Sequence, residues 1–345
     1  MWIVVGRQKA LLLSCLVLVV VDADRSSREQ HRTKRSEESC AVKYQVMENH
    51  TACLPRSKNN PGVSEADKKI IVDMHNEKRS SVNPEATNML RMSWDDEVAM
   101  IAQKWADNCD TNHEKNNLQR VVPGRFSVGQ NIATGAQNWS HAINMWHEEV
   151  KDFEYGNKEN MQFFLKIGHY TQMVWAETNK IGCGFSVCNG QNFHVCNYAP
   201  SGNLQGSVHV PYKSGPSCSE CQQGNCSDKL CDCGFTCLND GTINTTDCTC
   251  KCLNDFFLEP VCRLKCKEQE QEYCRPGIGY SSSSCEIVLN NCPVRCRLCP
   301  YAEDGYSGSE ADTAKSTARS TSPACSCWSL LLLKVLVVIF CKNFT

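Results

Sequence analysis

Excess charge of either sign is what this chain most lacks. Its 36 Lys and Arg against 38 Asp and Glu leave a net charge of −2, with the two signs interspersed. With no basic stripe and no alternation of basic and aromatic residues to follow a phosphate backbone, nucleic acid is excluded as a partner class. Long apolar runs are scarce too. The N-terminal run, Ala10 to Val21, falls short of the ~20 apolar residues that a bilayer span needs. It follows Arg7 and Lys9 and exits through Asp22-Ala23, so residues 1–23 have the layout of a signal peptide. Residues 24–35 read as a propeptide whose end, Arg32-Thr33-Lys34-Arg35, suits a furin-like protease and equally suits a solvated charge run.

Cysteine is abundant: 26 in 345 residues. A reducing cytosol would leave such thiols unpaired, whereas an exported chain locks them as bridges. Zinc ribbons are the rival reading. The export signal argues against them, as do the glycosylation sequons at Asn49, Asn138, Asn225 and Asn244, each with Ser or Thr two residues on.

The cysteines are unevenly spread. Residues 40–212 hold six and most of the tryptophans, while residues 218–299 hold sixteen and no tryptophan. A boundary therefore falls near Lys213 to Pro216. The first block is long enough to bury its own core, and the second must be held by bridges. In the first block, Ser64 with Asp67 caps a helix carrying Ile70, Ile71, Met74 and His75. Ser93 with Asp96 predicts the cap of a second helix, with Val98, Ile101, Ala102 and Trp105 on one face and Cys109 continuing it. Ile143, Trp146, Val150 and Phe153 form a third stripe bordered by Glu149. Alternating residues from Ile181 to Val187 and from Phe193 to Val195, joined by Asn189-Gly190, predict a hairpin. The block is of the α+β class.

Three stretches in this order resemble the CAP superfamily of cysteine-rich secretory and antigen-5 type proteins. They are MHNEKRSSVNPEATNMLRMSWDDEVAMIAQKWADNC (Met74 to Cys109), GHYTQMVWAETNKIGCG (Gly168 to Gly184) and VCNYAPSGNLQG (Val195 to Gly206). The resemblance implies an α-β-α sandwich over residues 64–212 and a central cleft that holds a divalent metal such as zinc in some members. The cleft set it implies is His75, Glu149 and His169, with Gln130 in Gly129-Gln130-Asn131 standing where the family usually has a glutamate. A neutral amide can orient water but cannot take its proton, so zinc is expected weakly at most. No serine or cysteine nucleophile with a positioned base is evident.

The resemblance also implies bridges between Cys109 and Cys188 and between Cys183 and Cys196, which leaves Cys40 and Cys53 to each other. A third family bridge is absent, since Val128 and Ala199 occupy both of its positions. Residues 218–231 resemble the hinge of cysteine-rich secretory proteins, and sequence does not choose among its three connectivities. Residues 233–262 resemble an EGF-like module. Residues 266–299, with Cys266, Cys274, Cys285, Cys292, Cys296 and Cys299 all in bridges, resemble an ShKT-type module without the Lys-Tyr pair of its channel-blocking members. For both modules a rigid stalk is the plain alternative to a binding role.

The leading expectation is a non-enzymatic extracellular protein that binds a lipid, sterol-type or protein ligand, because relatives' CAP clefts take sterols or fatty acids. Adhesion or scaffolding through the two modules is the alternative, and a metal-dependent hydrolase comes third. Residues 301–323 form a polar spacer and 324–345 a hydrophobic tail, together the pattern of a GPI-attachment signal. In a spanning helix Lys334 would sit mid-membrane at a cost of ~2.5–3.5 kcal/mol. Phosphatidylinositol-specific phospholipase C is therefore expected to release the protein from cells. Retention on the membrane, with a C-terminal peptide containing Lys342 recovered by mass spectrometry, would instead establish a spanning tail.

Overall fold

The computed structural model describes residues 40–302 apart from 58, 59, 61, 256, 276, 278–284 and 286–289. The signal peptide, propeptide and hydrophobic tail, and nearly all of the spacer, lie outside the described residues. Among the described residues no helix is long and apolar enough to cross a membrane.

Helix α1 spans Glu65–Ser80, and the Ser64 hydroxyl accepts from the Asp67 N–H at its start. Helix α2 spans Asp96–Asn108 and is capped by Asp95, not by Ser93. Ser93–Trp94 is instead strand β1, the parallel neighbour of β3. The two-residue shift arises because Asp95 is itself a strong cap, its carboxylate accepting from the N–H groups of Glu97 and Val98. Strand β2 (Gly129–Thr134), helices α3 (Trp139–Glu148) and α4 (Phe164–Met173), and strands β3 (Lys180–Cys188) and β4 (Gln191–Ala199) complete the domain. The sheet order is β1-β3-β4-β2, antiparallel except for β1 with β3. Asn189 and Gly190 both take positive φ, 51° and 78°, as a two-residue hairpin turn with the strands' own twist requires.

The sheet is the middle layer of an α-β-α sandwich. On one face, α2 packs Ala102, Trp105 and Ala106 onto Phe193 and Val195. This approach depends on glycine: a Cβ at Gly182 would stand 2.1 Å from the Ala99 backbone nitrogen, and one at Gly184 would stand 2.3 Å from the Gln103 Cα. On the other face, Ile181, Cys183, Cys196 and Tyr198 meet Ile71, Ile143, Trp146 and Met173 from the remaining helices. Cys183 and Cys196 lie directly opposite in the β3–β4 register and are bridged. Cys109, the left-handed cap of α2, is bridged to Cys188. Val128 and Ala199 are both buried in one apolar cluster with Val98, Ile101 and Phe126, so packing occupies the place of the missing bridge.

The C-terminal region is built of short two-stranded ribbons and disulfides. The hinge pairs Cys218 with Cys226 and Cys221 with Cys231. The next segment pairs Cys233–Cys248, Cys237–Cys250 and Cys252–Cys262, and the last pairs Cys266–Cys299, Cys274–Cys292 and Cys285–Cys296. These segments pack against the α+β domain. Leu230 belongs to the main domain core, and Met47 sits in one cluster with Phe257, Leu264 and Leu298. The Cys40–Cys53 loop is thereby clamped between domain and tail.

Three histidines, His50, His75 and His194, are buried, and burial lowers each pKa to about 4. Because the folded value lies below the unfolded ~6.5, the stability they permit is complete above pH ~6.5 and is lost as pH falls toward 4. For fully buried His75 the loss between pH 7 and pH 5 is about 2 kcal/mol. Unfolding free energies from urea titrations at those two pH values should differ by that amount or more, and His75→Gln should narrow the difference. Equal free energies would show that these imidazoles are not held neutral.

Candidate functional site

The cleft is built around β2, the edge strand. Successive residues of a strand face opposite sides, so Gln130 and Asn131 anchor two half-sites. Gly129 lets α4 approach the strand here, since a Cβ at that position would meet the Gln172 carboxamide at 2.0 Å.

On one side lies the segment just after α2. His113 donates from Nδ1 to Gln130 Oε1 at 2.7 Å, a tautomer set by an oxygen that only accepts. Gln130, 7% exposed, donates in turn from Nε2 to Asn197 Oδ1 at 3.1 Å. Behind it, Glu114 is buried and committed, with Oε1 accepting from Thr51 and Oε2 paired with Arg120 at 3.3 Å. On the other side, Glu149 Oε1 accepts from His169 Nδ1 at 2.6 Å, and its Oε2 accepts from the backbone N–H groups of His169 and Tyr170. Asn131 donates to the His169 carbonyl and to the Tyr198 hydroxyl. The Trp146 indole stacks on the His169 ring at 6.4 Å between centroids. His169 is near enough to help lower the pKa of His113, for which desolvation is the larger cause.

His75 does not belong to this set. It is 0% exposed, its Nδ1 donates to the Ile71 carbonyl at 2.7 Å, and its Nε2 accepts from the Tyr198 hydroxyl at 2.9 Å. Both ring nitrogens are consumed, so it can neither ligate a metal nor exchange protons with the cleft. The second imidazole of the cleft is His113. The available signal was Cys109, whose bridge to Cys188 ties the end of α2 to the sheet and leaves the following residues beside β2.

Each cleft imidazole thus has its Nδ1 held by an acceptor, and its Nε2 has no hydrogen-bond partner among the described residues. That is the arrangement in which an outer acceptor orients a metal-binding histidine. Glu149 and Gln130 are spent in that orienting role. Among the described residues the only cluster with three metal-type ligand atoms in reach is Cys218, Cys221 and Cys226, which bridges occupy.

An α-β-α sandwich with a cysteine-rich tail and a paired-imidazole cleft defines the class of CAP proteins. The family profile that matches, over residues 72–198, is CAP, the cysteine-rich secretory protein family. The chain is 34% identical over 285 residues to cysteine-rich venom protein Mr30 of Conus marmoreus, covering 78% of this chain and 93% of that one. Among solved structures it is similar to Na-ASP-1, at 31% identity and a TM-score of 0.44, over 52% of this chain and 51% of that one. Another is Schistosoma mansoni venom allergen-like protein 4, at 30% identity and a TM-score of 0.38, over 46% of this chain and 100% of that one. The chain belongs to the CAP, cysteine-rich secretory protein family.

The site around residue 130 contains an orphan: Asn197 Nδ2 is buried with no hydrogen-bond partner. A carboxylate at 130 would accept from it after the Asn197 amide turned over, and would also accept from His113. Gln130→Glu should raise the His113 pKa from its lowered value, because the new charge favours imidazolium, and should cost stability, because Gln130 Nε2 donates to buried Glu114 at 3.5 Å and a carboxylate there would meet a like charge. An NMR titration of the His113 ring, wild type against variant, reads this directly. An unchanged or lower His113 pKa would refute the geometry.

Proposed function

We propose that the protein is an extracellular, non-enzymatic binding protein whose CAP domain takes an apolar ligand of the lipid or sterol type with a polar head. The observation that carries this reading is the apolar surface leading into α4. Met161, Phe163, Phe164 and Leu165 are 46, 49, 40 and 94% exposed, and contiguous exposed apolar surface marks a binding face. Leu165 stands one helical turn before His169, so the same face of α4 carries both. The tail of the ligand lies along this surface and its head reaches the imidazoles. A divalent cation such as zinc, held by His113 and His169 with water, would supply positive charge to an anionic head.

Gln130 supports the non-enzymatic reading. It stands where a glutamate could act as base, and its amide is spent on His113 and Asn197. Among the described residues neither cleft imidazole is hydrogen-bonded to a hydroxyl, and every cysteine is in a disulfide. Glycosylation belongs to the same proposal at Asn49, Asn138 and Asn244, which are exposed. Asn225 is a poorer acceptor because it is half-buried and its Nδ2 donates to Gln222 at 2.7 Å. Attachment to the cell surface through residues 324–345 also belongs to it.

Removing residues 218–299 would strip Leu230 and Phe257 from shared cores, so point variants are the cleaner test. Phe163→Ser with Leu165→Asp should weaken binding of a fluorescent fatty acid and of cholesterol by about tenfold or more, given ~1.5–3 kcal/mol for burying a large apolar side chain. Circular dichroism should stay unchanged. Wild-type affinity in the double variant would overturn the reading.

A further inference from the structure

A cavity distinct from the CAP cleft lies where the 233–262 module meets the domain; it has a volume of about 420 Å³ and is partly open to solvent. That size suits a small ligand. Its apolar lining comes from both partners: Leu90, Pro200 and Leu204 from the domain, Ile243 and Leu253 from the module. Leu204 and Leu253 are 52 and 64% exposed, so apolar surface is left uncovered at its mouth.

The two parts are locked at this seam. Asn179 donates to the Phe235 carbonyl and accepts from the Thr236 hydroxyl, and the Ser127 hydroxyl donates to Asp240 Oδ1 at 2.6 Å. These lining groups are satisfied by one another. Glu177 is different: among the described residues no hydrogen bond or ion pair reaches its carboxylate. Protein crowding around it raises its pKa, and Lys213, the one cation acting on it, is not part of the lining. The backbone on either side of Glu177 is fixed, because Arg79 donates to the carbonyls of Ala176 and Thr178. Glu177 and Asp240 are the charged residues of the lining, and no Lys, Arg or His accompanies them.

We propose that this junction cavity is a second binding site, selective for a small amphipathic cation: an apolar body bearing one ammonium group. The body fills the Leu204–Ile243–Leu253 walls and the ammonium pairs with Glu177. The pairing favours the cation by Coulomb attraction to a carboxylate that no described protein donor engages, in a lining that carries no cation of its own. Because the site needs walls from both parts, it exists only in the chain with the module docked. It is independent of the lipid-type reading of the CAP cleft.

The test uses the intact ectodomain and three fluorescent naphthyl probes that differ only in head group: naphthylmethylammonium, naphthalenemethanol and naphthoate. The ammonium probe should bind at least tenfold more tightly than the carboxylate, with the alcohol between them. Glu177→Gln, at an exposed position without bonds to lose, should cut ammonium binding about tenfold and abolish the preference. Ile243→Arg, which places a cation in the cavity, should weaken the ammonium probe most. Leu165→Asp, on the face assigned to the lipid-type ligand, should leave all three unchanged. The proposal is overturned if the three probes bind equally, if Glu177→Gln keeps the preference, or if binding follows Leu165 in place of Glu177 and Ile243.

Discussion

One buried guanidinium holds the CAP domain's parts in register. Arg79, 1% exposed near the end of α1, donates to the carbonyls of Leu90, Met173, Trp175, Ala176 and Thr178. All five of its N–H donors are used, and no carboxylate faces it. Burial lowers its pKa to about 9, which leaves it a cation at neutral pH. A charge in such a place is tolerable only with complete hydrogen bonding. The carbonyls provide this, and they are also the groups that an irregular buried segment would otherwise leave orphaned. The end of α4, the loop to β3 and the segment before β1 are therefore fixed by one side chain. His169 sits one helical turn before the first of the α4 carbonyls, and Glu177 sits between the last two.

The parts of the fold that sequence makes legible are those whose signals are local. Ser64, Asn189-Gly190 and the alternation from Ile181 to Val187 each act over a few residues, and the structure has a cap, a turn and a strand at those places. The start of α2 is less legible because two cap formers, Ser93 and Asp95, compete, and pairing with β3 draws Ser93 into the sheet. Arg79 gives no warning in sequence, since its partners are backbone carbonyls up to 99 residues away.

The cleft was half legible for the same reason. Glu149, at the C-terminal cap of α3, and His169 of α4 come together as the family resemblance implies, whereas His75 and His113 are indistinguishable by residue type alone. What separates them is tertiary: α1 turns His75 into the core against Tyr198, while the Cys109–Cys188 bridge brings the stretch after α2 to the edge of β2. A histidine on an apolar helical face is ordinarily a core residue with both nitrogens satisfied, and His75 is of that kind.

The disposition of carboxylates divides the molecule's two candidate sites. Around the CAP cleft every acid is committed: Glu149 to three N–H groups, Glu114 to Thr51 and Arg120, while position 130 has given up its charge altogether. What the cleft offers is two imidazole Nε2 atoms beside an apolar face. At the module junction the reverse holds, with apolar walls and an uncommitted carboxylate. The two proposed sites would therefore differ in the head group they accept: the junction would disfavour an anion by like charge, and the cleft would offer an ammonium no free anion. Docking the cysteine-rich tail against the domain, through Met47, Leu230 and Asn179, is what forms the junction cavity, so the tail's bridges shape that cavity as well as the modules they close.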